Sequence, residues 1–371
     1  MSKREALFAI IVAFLVGIIG SLSLRPQSLE KAPIVQDSEN NKPMNSVRIK
    51  WRVPVAFGTN LPALGDNILY VANQLRGMTG NAIDLHIFEP GELVPPFSIT
   101  DAIRDGKVEA GYTWLGYDQG KIPSAPLFAA VPFGMEPWEF SAWWYEGGGK
   151  KLGQDLYAKQ NIHLIYCGIT GPETAGWFRD PVRSLKDVKG LKIRFAGIGG
   201  KVIQKAGASV TMLPGGEIFQ ALEKGAIDAT EYSLPVVDQL LGFNRVAKFN
   251  YYPGWHQPAT SLHLAINSDV WNNLVSSDQQ LIETACSAGV TNNLARSEAL
   301  QGAIISQFAN IGVSAEILPE EILRELKRIT DEVMHLEATA DEDFKVILES
   351  QKVFRENYSH WKSHAYLPRD F

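Results

Sequence analysis

Cysteine is scarce in this chain, because among 371 residues it occurs only at Cys167 and Cys286. Two cysteines this far apart cannot form the closely spaced pairs that hold structural zinc. Free cysteine commonly packs as a small hydrophobic residue, so we expect two buried thiols. A disulfide between them is the alternative if the chain folds in an oxidising compartment.

The motifs of common hydrolases are also missing. The chain contains no G-x-S-x-G, the turn that presents a nucleophilic serine, and no H-E-x-x-H zinc motif. The run GIGG at 197–200 is too short a pattern to indicate a dinucleotide site. We therefore expect no enzymatic activity. An exported hydrolase or lyase that uses Glu173, Glu231 and His256 is the rival interpretation.

Neither sign of charge is in large excess. The net charge is −6, hydrophobic residues make up 45% of the chain and charged residues 20%, which is ordinary for a globular protein. Such a mild acidic balance gives no reason to expect a nucleic acid as partner. An anion-binding site in this chain must therefore be a local arrangement of positive groups.

One long hydrophobic run lies near the amino terminus. Lys3 and Arg4 precede Ala6–Leu24, a run without a charged residue. A basic segment followed by an apolar run predicts a cleaved export signal or a retained membrane anchor at residues 1–24. Residues 25–47 are polar and rich in proline, which is typical of a disordered linker. Both alternatives predict a periplasmic body, which the second would hold at the membrane.

The body begins near Arg48 with alternating strand and helix patterns. The first five predicted elements are Val47–Val55, Asn60–Met78, Ala82–Phe88, Ser98–Arg104 and Ala110–Trp114. A second strand-and-helix series follows between residues 162 and 229, and the segments 279–310 and 320–354 have mainly helical patterns. This order predicts an α/β protein with two lobes and a helical tail, in which ligand groups lie at strand ends.

The segment from residue 171 to 260 is the most informative. It contains, in this order, GWFRD, SLKDVKGLKIR, GASVTMLPGG, LEKGAIDATE and YYPGWHQPAT. Together with FEPGELVPPFSITDAIRDGKVEAGYTW upstream, this series resembles the solute-binding proteins of TRAP transporters, which are tripartite, ion-driven carboxylate carriers. The resemblance covers residues 48–355 and is closest to the branch that binds small 2-oxo and 2-hydroxy acids.

The resemblance implies a two-lobe, periplasmic-binding-protein-like fold, similar to type II, with long C-terminal helices. We expect the first lobe at 48–158 plus 258–310, the second at 159–257, and a helical tail at 311–371. It also implies that the protein captures a small organic carboxylate and delivers it to a small and a large membrane subunit. An exported ligand-sensing domain would share the fold and the site, and is the alternative.

Arg179 is the first residue that we expect in a carboxylate site. A guanidinium is a planar fork that can hold a carboxylate with two hydrogen bonds, and the resemblance implies that the arginine of W-F-R does so. The alternative is a surface arginine paired with Asp180 or Asp187. Arg194 is the second candidate, although the alternation in L-K-I-R is equally compatible with a solvated strand face.

Two aromatic residues are further candidates for solute binding. Trp255 follows a Pro-Gly turn, which suits a pocket wall that excludes water. Tyr117 follows the third predicted strand, where α/β sheets present ligand groups, so its hydroxyl could bond the solute.

The resemblance also implies a cation. Relatives that hold their solute through an ion carry glutamine at the position of Glu173 and glutamate at the position of Gln257, so these two side chains look exchanged here. Together with Glu231 and Tyr232 they would suit Na⁺ or Ca²⁺, which prefer oxygen ligands. The alternative is that Glu173 bonds a hydroxyl or a protonated group on a different solute.

The C-terminal segment predicts a long amphipathic helix. Its apolar residues recur at spacings of four and three, at Ile322, Leu326, Ile329, Val333 and Leu336. Several large apolar groups follow between residues 344 and 361, and left exposed they would form an unusually large patch. We therefore expect a homodimer through this extension. The alternative is a helix that crosses the back of its own two lobes.

Overall fold

A computed structural model describes residues 47–367. The predicted export signal or anchor at 1–24, and all of the predicted linker except Val47, lie outside the described residues. None of the helices in the described part combines the length and the hydrophobicity that a membrane span requires.

The described residues contain eleven strands in three sheets, ordered β1-β2, β3-β10-β4 and β11-β9-β5-β8-β6-β7. The strands are β1 (Ile49–Pro54), β2 (Ile83–Phe88), β3 (Ala110–Thr113), β4 (Ile162–Thr170), β5 (Gly176–Phe178), β6 (Lys192–Arg194), β7 (Ser209–Thr211), β8 (Ala229–Thr230), β9 (Phe249–Tyr252), β10 (Thr260–Asn267) and β11 (Ser314–Ile317).

Twelve α-helices connect or cover these strands in the described part of the chain. They are α1 (Asn67–Thr79), α2 (Ile99–Arg104), α3 (Pro137–Glu146), α4 (Gly149–Ala158), α5 (Gly197–Lys205), α6 (Gly215–Glu223), α7 (Pro235–Leu240), α8 (Phe243–Val246), α9 (Ser268–Asn272), α10 (Ser276–Ile305), α11 (Glu320–Ala340) and α12 (Glu342–Ala365).

The first lobe is built on β1 to β4 and β10. β1 and β2 pair in parallel, and a bridge between Val55 and Tyr112 attaches them to the sheet in which β10 is central. All eight residues of β10 are buried, because the lobe packs on both faces of this strand and leaves no solvated face to alternate. α10 packs on β4 and α1 and closes the core.

The second lobe is a six-stranded mixed sheet. β6 pairs in parallel with β7 and β8, whereas β5 is antiparallel to β8 and β9. β6 and β8 therefore end at the same edge of the sheet. The residues that follow or end these two strands, Arg194 and Glu231, meet there.

The chain crosses between the lobes after β4, between β9 and β10, and again between α10 and β11. The first two crossing segments touch: a Cβ atom on Gly254 would lie 2.2 Å from the Glu173 carbonyl oxygen, so only glycine permits this approach. The expected first boundary, at 158/159, needs correction. β4 pairs with β10, which pairs with β3, so β4 belongs to the first lobe and the crossing follows Thr170.

The helical tail contacts both lobes. It is divided at Asp341, whose extended backbone ends α11 and whose side chain accepts a hydrogen bond from the Phe344 amide at the start of α12. α11 packs on α5 in the second lobe, and α12 packs on α3 and α4 in the first. The tail thus crosses from one lobe to the other, and Val346, Val353 and Trp361 remain exposed on α12.

A disulfide joins Cys167 of β4 to Cys286 of α10. Both residues are completely buried. The expectation of two free thiols is therefore wrong. The predicted export of the chain was the sequence signal that favoured a disulfide, since such bonds persist in oxidising compartments.

Candidate functional site

A small cavity lies between the two lobes, at the edge where β6 and β8 end. Its volume is about 10 Å³, which is room for a single water molecule, so the lobes are shut around it. The lining residues are Phe57, Leu64, Trp114, Tyr117, Glu173, Arg194, Ala196, Glu231, Tyr232, Gln257 and Thr260.

A buried ion pair forms the second-lobe wall of this cavity. Arg194 Nη1 donates to Glu231 Oε2 at 2.6 Å and to the Glu231 carbonyl at 2.8 Å, and Arg194 Nε donates to the Leu213 carbonyl at 3.1 Å. Burial by itself would raise the pKa of Glu231, but the Arg194 charge and hydrogen bonds from His256 and the Ala196 amide hold that pKa below its ordinary value. The pair is therefore charged.

Glu173 lies in the first crossing segment and faces Glu231 across the cavity. Its amide donates to the Gln257 carbonyl at 3.1 Å, and its Oε1 accepts the Thr260 hydroxyl at 2.7 Å. Burial, followed by repulsion from Glu231, raises the pKa of Glu173 well above its ordinary value. Of the two carboxyl groups, Glu173 is thus the one that holds a proton unless a positive charge arrives beside it.

The amide of Gln257 lies between the two carboxyl groups. With its nitrogen turned towards them, the amide donates to Glu173 Oε2 at 2.8 Å and to Glu231 Oε1 at 3.2 Å. With its oxygen turned towards them instead, three oxygen atoms converge on one point. Without a cation, the orientation with the nitrogen inward is favoured, because it gives both carboxyl groups a hydrogen-bond donor. The orientation with the oxygen inward is the one that a bound cation requires.

Two tyrosines complete the polar part of the wall. Tyr117 lies in the short helix Leu115–Asp118 after β3, and burial raises the pKa of its hydroxyl to about 12. It is therefore a neutral hydrogen-bond donor. The Tyr232 ring lies under the Arg194 guanidinium, with 5.1 Å between the guanidinium carbon and the ring centroid, which adds a cation–π contact to the ion pair.

The first lobe supplies an apolar cover that sequence reasoning did not identify. Phe57, Leu64 and Trp114 close the cavity from that side. The Trp114 indole N–H is buried and has no hydrogen-bond partner among the described residues. The sequence signal was the aromatic segment after β3, from which only Tyr117 was chosen.

Of the residues predicted from sequence, Glu173, Glu231, Gln257, Tyr117 and Tyr232 come together in this cavity. Arg179 and Trp255 do not line it. Trp255 packs beside it, with its ring 5.8 Å from that of Phe133 and 5.9 Å from that of Phe195.

The position of Arg179 has a simple cause in the sheet. β5 and β8 are antiparallel, and the Arg179 amide donates to the Asp228 carbonyl, whereas Glu231 lies three residues further along. At about 3.3 Å per residue, this separates Arg179 from the cavity edge by about 10 Å. The arginine in the cavity is Arg194, the second candidate.

The donor set fits a hard cation. Two carboxyl groups and an amide oxygen, from Glu173, Glu231 and Gln257, are the ligand types of Ca²⁺ and Na⁺. Glu173, Glu231 and His256 each also offer a ligand atom within 4.8 Å of the others. His256 Nε2 lies 3.6 Å from Glu231 Oε1, so it supports that carboxyl group from the side of the second lobe.

Comparison with known proteins agrees with this architecture. A monocarboxylate 2-oxoacid-binding periplasmic protein of Nostoc is 35% identical over 317 residues, which are 84% of this chain and 86% of the relative. A TRAP transporter solute-binding protein of Bordetella bronchiseptica superimposes with a TM-score of 0.84 at 29% identity, over 86% of this chain and 95% of that one. It was crystallised as a mixed-occupancy dimer, in which copurified calcium and picolinate occupy one active site and the other is empty.

A second crystal structure is similar to the same extent. A TRAP periplasmic solute-binding protein of Pseudoalteromonas atlantica, with bound sodium and pyruvate, has a TM-score of 0.82 at 29% identity and covers 86% of this chain and 97% of its own. The described body thus has the two-lobe fold of extracytoplasmic binding proteins, which are not enzymes. The family model for bacterial extracellular solute-binding proteins, family 7, matches residues 60–340, and the chain belongs to that family.

Proposed function

We propose that this protein captures a small 2-oxo or 2-hydroxy carboxylate between its lobes for a TRAP transporter. The observation that carries the proposal is the buried Arg194–Glu231 pair, which faces Glu173 and Gln257 across a cavity between the lobes. A charged guanidinium in a closed, mostly apolar cavity binds a carboxylate far more strongly than one in water. The relative from Nostoc, named for 2-oxoacid binding, supports the same solute class.

Arg194 is the group that we assign to the solute carboxylate. Its Nε and Nη1 are already held by Leu213 and Glu231, which fixes the plane of the guanidinium, and Nη2 is the nitrogen that we assign to the solute. Tyr117, as a neutral phenol, and the unpartnered indole N–H of Trp114 are the further donors that we assign to solute oxygens. A buried donor without a partner costs about 1–3 kcal/mol, which a bound oxygen atom would recover.

A cation completes the site in this proposal. Glu173, Glu231, the Gln257 side-chain oxygen and the Tyr232 carbonyl oxygen would hold Ca²⁺ or Na⁺. Bound there, the ion would supply positive charge opposite Arg194 and polarise the solute oxygens. The Gln257 amide would turn its oxygen inward, and Glu173 would lose its proton. The related structures with calcium or sodium beside their ligand support this assignment.

The exchange of Glu173 and Gln257 leaves one alternative for the solute. If no cation enters, the Gln257 nitrogen bridges the two carboxyl groups. Protonated Glu173 then presents a hydroxyl to the solute in place of an ion. The two proposals differ in one measurable property, because only the first makes solute binding depend on Ca²⁺ or Na⁺.

Solute entry requires the lobes to separate. The closed cavity has room for about one water molecule, so a 2-oxo acid would enter an open form and hold the closed one slightly wider. Delivery to a small and a large membrane subunit, from a periplasmic position at or near the membrane, completes the proposed role. Genes for two membrane subunits beside this one would favour transport over ligand sensing.

We also propose a homodimer through α12. Gln351 is buried and donates to the Leu127 carbonyl, so one face of α12 is fixed to its own first lobe. The opposite face leaves Val346, Val353 and Trp361 exposed, the last by 62%. A second copy that covered these apolar side chains would remove them from water, and the Bordetella relative crystallised as a dimer.

A thermal-shift screen of small carboxylates tests the function. We expect pyruvate or lactate to raise the melting temperature in the presence of Ca²⁺ or Na⁺, because at a hundredfold excess over the dissociation constant the ligand adds about 2.7 kcal/mol to the free energy of unfolding. Pyruvamide, which has nearly the same shape without the carboxylate, is the matched control and should have no effect. Equal shifts with pyruvamide and pyruvate, or none with any 2-oxo or 2-hydroxy acid, would refute the proposal.

A further inference from the structure

Beside the cavity, Gln119 of the first lobe reaches across to α5 of the second. Gln119 follows the helix that carries Tyr117 and is half-buried. In one orientation of the Gln119 amide, its nitrogen donates to the Gly197 carbonyl oxygen at 3.0 Å. In the same orientation, its oxygen accepts a hydrogen bond from Lys201 Nζ at 3.3 Å. A single side chain therefore satisfies two groups on the opposite lobe.

Lys201 is held from its other side as well. Its Nζ lies 2.6 Å from Glu337 Oε2 of α11. The ammonium group thus has one acceptor from the first lobe, Gln119, and one from the tail helix that packs on the second lobe. Because Glu337 does not depend on closure, it keeps the Lys201 ammonium oriented for Gln119 while the lobes are open.

The backbone at this contact is shaped for close approach. A Cβ atom on Gly197, whose φ is +65°, would lie 3.0 Å from the Trp114 ring, so the cover residue of the cavity packs directly on the first turn of α5. Gln119 bonds the carbonyl of this same Gly197, and Lys201 lies one helical turn further along α5. The bonds of Gln119 to both residues can form only when Trp114 has closed over the cavity.

We infer that Gln119 and Lys201 form a latch that stabilises the closed form and slows solute release. Its effect on release rests on the proposed function, because it requires a solute bound between the lobes. Neither residue lines the cavity, so both are positioning residues and do not select the solute. Breaking the latch should therefore shift the balance between open and closed forms and should leave solute preference unchanged.

The chain provides a matched control. Lys205 lies one helical turn after Lys201 on α5, and its Nζ lies 3.4 Å from Glu332 of α11. Among the described residues it has no partner in the first lobe. Lys205→Met thus removes the same kind of contact with α11 as Lys201→Met, without the contact with Gln119.

Pulsed electron paramagnetic resonance measures the latch without any solute. Spin labels attached at Lys107→Cys in the first lobe and Lys224→Cys in the second would be the only reactive thiols, since the two native cysteines form the disulfide. We expect Gln119→Ala and Lys201→Met to lower the closed-to-open ratio about tenfold, as the loss of a charge-assisted hydrogen bond implies. Lys205→Met should match the wild type.

Stopped-flow release of pyruvate in the presence of Ca²⁺ is the second measurement. Gln119→Ala should raise the dissociation rate constant about tenfold, and the double variant with Lys201→Met should add little, because the two residues share one bond. A closed-to-open ratio unchanged by Gln119→Ala overturns the latch. A wild-type protein that binds no pyruvate overturns the proposed solute instead, and the distance measurement still decides the latch.

Discussion

Removal of the disulfide should destabilise the first lobe by an amount that follows from the chain length it encloses. Cys167 and Cys286 are 119 residues apart. In the chain-entropy model, a cross-link over a loop of this length lowers the entropy of the unfolded chain by about 16 cal/mol/K, which is about 5 kcal/mol at 25 °C. Both positions are completely buried, so the lost sulfur–sulfur packing adds to this value.

The predicted change in melting temperature follows from the size of the body. The structure describes roughly 320 residues, and unfolding releases about 2.1 cal/mol/K per residue. A loss of about 5 kcal/mol therefore lowers the melting temperature by about 7 °C. We expect this shift for the double variant Cys167→Ala, Cys286→Ala, and a similar one for the wild type kept reduced throughout.

Differential scanning calorimetry of protein exported to an oxidising compartment measures this change. Thr284→Ala is the matched control, because it alters an exposed side chain on the same helix and should move the melting temperature by no more than about 1 °C. Two titratable thiols in the unfolded, unreduced wild type would refute the disulfide. A shift below about 2 °C in the double variant would refute the calculation of its contribution.

Four further predictions concern the site and the assembly. Arg194→Lys should weaken pyruvate binding by about 2–5 kcal/mol, since lysine cannot keep the bonds to Leu213 and Glu231 and also hold a donor at the place of Nη2. Arg179→Lys should change it less than threefold, and a calorimetric titration that ranks the two variants in the opposite order contradicts the assignment. The raised pKa of Glu173 predicts that Ca²⁺ binds more tightly as pH rises and releases a proton on binding, which titrations in two buffers of different ionisation enthalpy detect and Glu173→Gln should abolish. Without a cation, the raised pKa of Glu173 means that the free energy of unfolding falls as pH rises from the pKa of this carboxyl group in the unfolded chain towards its pKa in the folded protein. The measurement is made in chelator, with Glu173→Gln as the reference. A free energy of unfolding that rises over that range, relative to Glu173→Gln, contradicts a proton on Glu173. Sedimentation at micromolar concentration should give a dimer for residues 47–371 and a monomer when the chain is cut after Asp341, and a monomeric full-length body would reject the dimer.

The order of elements and most of the site could be predicted from the sequence. The recurring strand and helix patterns, and the segments that resemble the family, identified Glu173, Glu231 and Gln257 without any structural information. These residues lie at strand ends or in crossing segments, where local sequence and position in the fold are closely linked. The cavity between the lobes was predictable for the same reason.

The choice between Arg179 and Arg194 was not predictable from the residues alone. It depends on strand direction, because both strands pair with β8, β5 in the antiparallel and β6 in the parallel direction. Only β6 therefore ends at the same edge of the sheet as β8. Alternation in L-K-I-R also misled, since Ile193 and Arg194 are both buried at the end of β6. Alternation of apolar and polar residues describes a strand with one solvent-exposed face, and the end of β6 has no such face.

The latch was not predicted at all and the disulfide only as an alternative, for a different reason. Each joins residues that are more than eighty positions apart, and neither pair has a local pattern that marks it. The division of the last helix at Asp341 was also missed. Its cause is local, since the aspartate caps the helix that follows, but apolar spacing continues through it.

A crystal structure of the protein grown with pyruvate and Ca²⁺ would show the ligands of the cation and of the carboxylate together. We expect a cation bound by Glu173, Glu231 and the Gln257 side-chain oxygen, with the pyruvate carboxylate on Arg194. A pyruvate carboxylate bound at Arg179 instead, or electron density for Ca²⁺ away from Glu173 and Glu231, would contradict it.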